Sequence, residues 1–403
     1  MNQKNDQPSQ HDPAHSSYSV DDIEILSLSE IFRKRPGMMH EFFRQGRSEK
    51  ANHKLLETLV EHMVTHNILQ GNLARTIVTL KQDGSATVED FGVGYKISGA
   101  SETTPRHFAA HGTEEHQNYC AERYPAIDAR ELESRQYATE SLTLVNASST
   151  SLAIETRRDG KHWSQRFEKG EPLGEITLVG ETQRTGTKIT FSPDHEVLAH
   201  LGAFGEFDFE TAARDLERLA WIYPGLRLHL LEEHTMRTFE AYYPTGSLDI
   251  LVKDHQLHKD QIFSLRIPIT RDNKRGIDLA IAWRDAGALD APANITSMVN
   301  NVRTTAHGSH VDGIGAGIMD ALLHAAHARS IQWKIPLAER GMVAAIRVQD
   351  EDAHRHLEAK DGMRLSDDDI ESFVAAVIAE HLEPWLEAHP YLTANLLERM
   401  ASL

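Results

Sequence analysis

Residues 53–96 change their repeat twice, and that sequence of repeats narrows the fold more than any other part of the chain. Leu55, Leu56, Leu59, Val60, Met63, Val64 and Ile68 recur at helical spacing, which predicts an amphipathic helix over 53–69. Thr76-Ile-Val-Thr-Leu80, a Gln82-Asp-Gly84 turn and Ala86-Thr-Val88 then read as a β-hairpin. The hairpin closes on Val88-Glu-Asp-Phe-Gly-Val-Gly-Tyr-Lys96, an Asp-x-Gly-x-Gly pattern. A helix, a hairpin and a glycine turn in one run require a mixed α/β layer structure. The plain account of the turn is local: Gly92 and Gly94 make it tight and Asp90 caps it. The chemical account is that the glycines let backbone approach a flat ligand while Asp90 supplies an acceptor.

The remaining sequence divides in three. Residues 1–20 are polar, have no apolar period and read as a flexible arm. A first domain is expected over 21–255, and a second over 256–403, where its first strand begins at about Ile262. In the first, a short helix through Ile31–Arg35 precedes Pro36-Gly37. Residues 97–136 are polar and weakly periodic, too long for a plain connection, and read as a lid or binding loop. Strands are expected at Leu142–Val145, Leu152–Thr156, Trp163–Phe167 and Lys188–Phe191, a helix over 207–221, and strands over 226–232 and 237–243. The second domain is expected to place strands at Phe263–Ile269, Asp278–Trp283, Ile295–Val302 and Met342–Val348. Helices over 312–329, 366–385 and 391–403 complete it.

At 403 residues the chain is long enough for two cores. Its net charge of −18 repels phosphate in the far field, which argues against broad nucleic-acid or anionic-lipid binding. A single cysteine, Cys120, forms no internal disulfide, no leader-like segment opens the chain, and no apolar run spans a bilayer, so the expected location is cytoplasmic, with no membrane role. His107, His111, His116 and Cys120 sit in one window and form a candidate zinc site, but Pro105 and Gly112 interrupt a helix there and the spacing matches no standard metal motif.

Five segments stand in one order: Arg33-Lys-Arg-Pro-Gly-Met38, the helix 53–69, Val88–Gly94, Arg184-Thr-Gly-Thr187 and Ser297-Met-Val-Asn-Asn-Val302. From about residue 18 onward the chain resembles the gyrase B subunit and its topoisomerase IV counterpart. The resemblance implies an α/β (α+β) architecture, a GHKL-type ATPase sandwich followed by a smaller α/β transducer domain, with ATP-driven dimerisation. It also implies roles for single residues. Asp90 would accept the adenine amino group, with Gly92 and Gly94 giving the base room. Thr187 would share a water with Asp90 and the base, Arg158 would flank it, and Tyr18 would lie on an arm that reaches into the partner's nucleotide site. The DNA-cleaving metal-binding domain would follow in a full-length protein of this family, and the sequence stops before it.

The catalytic end matches less well. The family places a general-base Glu one helical turn before a magnesium-binding Asn. Aligning the apolar faces puts Thr58 and His62 there; counting back from Asp90 without a gap gives Leu59 and Met63; a further shift gives Glu57 and Glu61. The expected phosphate loop, Arg135–Ala147, has no glycine and carries Glu140, although Leu144-Val-Asn-Ala147 fits. Gly362 falls where the transducer lysine belongs, with Lys360 nearby.

The expectation is therefore a gyrase-B-like pseudo-ATPase. It would take no metal, and no cofactor beyond an adenine nucleotide held with weak or no phosphate contacts. It would act as a stand-alone interaction or regulatory protein on gyrase, its inhibitors or a related complex. It would be a homodimer joined through the N-terminal arm and the ATPase-like domain. The rival expectation is an ATP-dependent dimerising clamp that uses Glu57 or Glu61. A third is DNA in the cavity between two transducer domains, facing Arg303 and His307, but no basic run marks it and such binding should be weak or absent.

Overall fold

The computed structural model describes residues 30, 33–34, 50–69, 71–73, 75–95, 142, 144–200, 205–269, 274–284, 292–300, 302–328, 341–350, 352–358 and 363–401. Helix α1 (Ala51–Leu69) leads into the hairpin β1 (Thr76–Leu80) and β2 (Ala86–Asp90). Asp83 caps the hairpin turn by accepting the Ser85 amide at 2.9 Å, and Gly84 takes a φ of 81° there. β3 (Ser149–Arg158), β4 (Lys161–Glu168), β5 (Glu171–Pro172), β6 (Thr177–Glu181) and β7 (Gly186–Pro193) follow. After the short α2 (His195–Leu198) come α3 (Phe209–Ile222), β8 (Arg227–Glu232) and β9 (Arg237–Tyr242). These strands make one sheet in the order β5-β4-β3-β7-β2-β1-β8-β9, with β6 against β4.

α1 and α3 cover one face of that sheet. Asp208 caps α3 by accepting the Thr211 amide at 2.8 Å. Phe209, Ala212, Leu216, Leu219 and Ala220, at helical spacing, meet Leu55, Leu59 and Met63 of α1 in one core. The expected strand at Leu142–Val145 is instead helical at 142 and 144–147. Leu142, Leu144 and Val145 are all buried, and a short apolar run has the same pattern in either state, so here the tertiary setting decides.

Helix α4 (Ser247–His255), which the periodicity of the sequence did not predict, joins the two sheets. The second sheet is built from β10 (Phe263–Ile267), β11 (Arg275–Trp283), β12 (Asn294–Val299), β13 (Val302–Arg303) and β14 (Met342–Asp350), in the order β10-β11-β14-β12-β13. Helix α5 (Ser309–Ala328) carries the chain between the parallel pair β12 and β14. A small pair, β15 (Leu357–Glu358) and β16 (Arg364–Leu365), precedes α6 (Asp368–Ala388) and α7 (Pro390–Ala401).

β11 and β14 are buried on both faces, and alternate residues serve different cores. Ala280, Ala282, Val343 and Ala345 join the core of the first sheet, whereas Leu279, Ile281, Ile346 and Val348 pack under α5 and α6. Among the described residues no helix is long and apolar enough to cross a membrane.

Candidate functional site

The site begins where β2 ends. Asp90 is the last residue of that strand, is buried, and its Oδ1 accepts the Gly92 amide at 2.7 Å. A Cβ on Gly92 would lie 1.8 Å from Asn67 Oδ1, and one on Gly94, at φ 78°, 2.5 Å from the Arg157 carbonyl. Gly92 is therefore crowded only by the movable end of the Asn67 side chain on α1, whereas Gly94 is required by its positive φ and by the β3 backbone. Gly186 is fixed in the same way, since its Cβ would stand 2.1 Å from the Asp90 carbonyl.

Burial pushes the Asp90 carboxyl up to about 6, against the opposing pull of bonds from the Gly92 amide, Asn67 and the Thr187 amide. Three buried polar atoms next to it, Thr76 Oγ1, Asn67 Oδ1 and Thr187 Oγ1, have no hydrogen-bond partner. Thr76 is the cross-strand partner of Asp90, and Thr187 pairs with Thr156. Unmade hydrogen bonds at buried groups cost about 1–3 kcal/mol each. A ligand or ordered water that met these atoms would recover that cost.

Arg158, at the end of β3, turns back to the glycine turn and donates to the Gly94 carbonyl at 3.1 Å. Asp90, Gly92, Gly94, Arg158 and Thr187 thus converge on one corner, although they come from three strands and the turn after β2. Tyr18, Gly362, Lys360, Glu140 and the window His107–Cys120 lie outside the described residues. Among the described residues no three histidine, cysteine or acidic side chains form a metal cluster.

The face that α1 turns to this corner carries neither of its acids. His62 Nε2 lies 2.9 Å from the Tyr95 hydroxyl, and the His66 ring meets the Tyr95 ring edge-on at 4.6 Å. Asn67, one residue on, reaches Asp90. Thr58, one turn before His62, spends its hydroxyl on the Lys54 carbonyl at 2.7 Å. Glu57 is on the other side of the helix, 5% exposed and paired with Arg218 of α3. Glu61 acts on the same Arg218, and on Tyr223 and Arg347.

Tyr95 and Asn67 are site residues that the sequence motifs did not single out. Tyr95 is one residue past the second glycine, and the helical period puts Asn67 one turn after Met63. Both positions are visible in the sequence as neighbours of the motif, but their convergence is not.

Of the other segments, Arg33 donates to Asp194 at 2.6 Å and to the Ala147 carbonyl at 2.9 Å, which ties the N-terminal part of the chain to the first sheet. Asn300, at φ 57°, exchanges hydrogen bonds with the Asp350 backbone at 2.8 and 3.0 Å and so fixes the loop after β12. His307 directs Nδ1 to Ser297 Oγ at 2.8 Å, and burial keeps it below the ordinary histidine range. That imidazole is held inward and neutral, a poor phosphate ligand.

Residues 246–402 match the family described as DNA gyrase B. The DNA gyrase B protein of Archaeoglobus fulgidus is 27% identical over 395 residues, covering 95% of this chain and 58% of the relative. Its counterpart in Mycobacterium tuberculosis H37Rv is 26% identical over 430 residues, covering 94% and 58%. The chain thus spans a little over half the length of these curated relatives. Among solved structures, the 43K ATPase domain of Thermus thermophilus gyrase B, in complex with an aminocoumarin, superposes with a TM-score of 0.67 at 21% identity, over 92% of this chain and 94% of that one. The topoisomerase IV ATP binding domain of Francisella tularensis, in complex with a small-molecule inhibitor, gives 0.63 at 22% identity, over 94% and 97%.

Proposed function

We propose, from the premise that the chain is a relative of DNA gyrase B, that it is a base-binding interaction module and not an ATP hydrolase. The observation that carries this is the facing of α1. Its acids, Glu57 and Glu61, are turned to Arg218, while the α1 side chains that reach the corner are His62, at Tyr95, and Asn67, at Asp90. A water held near the Asp90 corner meets no carboxylate from this helix to take its proton, and loss of a general base costs roughly 10²–10⁴-fold in rate. An imidazole in place of an oxygen ligand also suits zinc or copper better than magnesium. The base corner, by contrast, keeps its acceptor and its unmet hydroxyl at Thr187.

In this reading the ATPase-type and transducer-type regions serve as a dimerising platform whose partner is a gyrase-related protein. The rival, a clamp driven by Glu57 or Glu61, needs Glu57 to leave a buried ion pair, which would strand Arg218.

The test is steady-state ATP turnover by the whole chain, its Glu57→Ala and Glu61→Ala variants, and a Thr58→Glu/His62→Asn double variant, with the assembly mass measured alongside. The expected result is no turnover in the first three. Turnover that is lost with Glu57→Ala or Glu61→Ala overturns the proposal. An aminocoumarin is the natural competitor probe, since a structural relative is known bound to one.

A further inference from the structure

Tyr95 is the residue in this corner that neither the turn nor the sheet requires. It is 8% exposed, directly follows Gly94, and has every part of its side chain engaged. Its hydroxyl meets His62 at 2.9 Å, its ring meets His66 at 4.6 Å, and its amide donates to Thr156 Oγ1 at 2.7 Å. The phenol ring therefore bridges the glycine turn and α1. A flat ligand pinned at its edge by Asp90 would lie in that same wedge.

The ring satisfies the aromatic contacts of the wedge and leaves its polar needs unmet. Thr187 Oγ1, Thr76 Oγ1 and Asn67 Oδ1 stay without partners while Tyr95 is in place. A heteroaromatic ring with an amino donor would offer both, meeting the imidazoles edge-on as Tyr95 does and bonding at the Asp90 edge.

We infer that Tyr95 is a built-in occupant of the site, an aromatic side chain that a ligand ring has to replace, and that it makes the site specific for flat heteroaromatic amines. The inference rests on the base-binding reading of the corner. Replacement lowers the apparent affinity by the fraction of molecules in which Tyr95 has left His62. It also ranks ligands. An adenine-type ring exchanges one aromatic contact for another and adds hydrogen bonds, whereas a bare pyrophosphate exchanges it for nothing.

The experiment is calorimetric titration of the whole chain with adenosine, and separately with pyrophosphate. The proteins compared are the wild type, Tyr95→Ala, Tyr95→Phe and Asp90→Asn, each first checked for a cooperative thermal transition. Tyr95→Ala is expected to bind adenosine tighter than the wild type by the reciprocal of the fraction in which Tyr95 has left His62, roughly tenfold where that fraction is about one tenth. Tyr95→Phe keeps the ring and removes only the hydroxyl's bond to His62, so it should gain less, and pyrophosphate should bind none of the four.

Should Tyr95→Ala fail to fold, Tyr95→Phe still decides, because an occupant held by His62 must loosen when its hydroxyl is removed. Weaker or unchanged adenosine binding in the folded Tyr95 variants makes Tyr95 a wall on which the ligand rests and overturns the inference. Adenosine binding indifferent to Asp90→Asn, or absent from every protein, overturns the base-binding reading instead.

Discussion

Asp90 shows how one side chain can be read in two opposite pH dependences. Burial raises its carboxyl to about 6, so between about pH 4 and 6 the folded chain holds a proton that the unfolded chain has released. Its contribution to stability is fully present below that window and is lost as pH rises through 6. The shift from 3.8 to about 6 is worth at most about 3 kcal/mol. Asp90→Asn should therefore flatten the fall in stability across this window and leave the protein more stable at pH 7. Urea denaturation at pH 4.5 and 7 measures it, and an Asn variant with the wild-type slope would refute the assignment. Asp215, raised to about 7 by burial and by Glu57, adds a slope of the same sign, so only the difference between variant and wild type is diagnostic. Ligand binding runs the other way. An amino donor needs the carboxylate, so affinity should rise with pH through 6.

At the scale of elements, the contacts between helices set what the sequence alone left open. α5 and α6 lie so close that a Cβ on Gly317 would stand 2.6 Å from the Ala375 carbonyl and 2.7 Å from Ile378 Cβ. Gly317→Ala is expected to destabilise by about 1–3 kcal/mol despite the better helix propensity of alanine, because overpacking outweighs it. A urea midpoint at or above that of the wild type would show that the helices can part freely. The same dependence on a distant partner explains which parts of the site were legible. Asp90, Gly92 and Gly94 could be read because a glycine turn after a strand is local chemistry. The facing of Glu57 could not, because Arg218, 161 residues away, decides it. The apolar stripe was enough to predict the helix, and of the residues set against the catalytic positions His62 is the one whose side chain meets Tyr95. Helix α4 was missed because its nine residues carry only a short stripe, and its burial comes from a sheet that forms later in the chain.

For the whole molecule, the question is whether the two sheets unfold together. The residues that face α4 from β11 and β14 are small, and Ala280 and Ala345 are direct cross-strand partners. They join the core of the first sheet and are fully buried. Arg347 of β14 crosses the same boundary, donating to the Ile222 carbonyl at the end of α3 at 2.7 Å and to the Asn300 carbonyl at 2.8 Å. Burial lowers this guanidinium to about 10, a cost that its bonds to both regions offset. With a shared core and a buried cation between them, neither region has a dry face of its own at this junction, which argues for a single cooperative thermal transition. Ala345→Leu would insert three carbons where the strand and α4 leave no space, without touching the packing under α5 and α6. It should cost about 1–3 kcal/mol and split the calorimetric transition in two, because it strains only the junction. A variant that keeps one transition at a merely lower temperature would mean that the regions are coupled elsewhere. A wild type that already melts in two steps would mean that the shared core does not couple them.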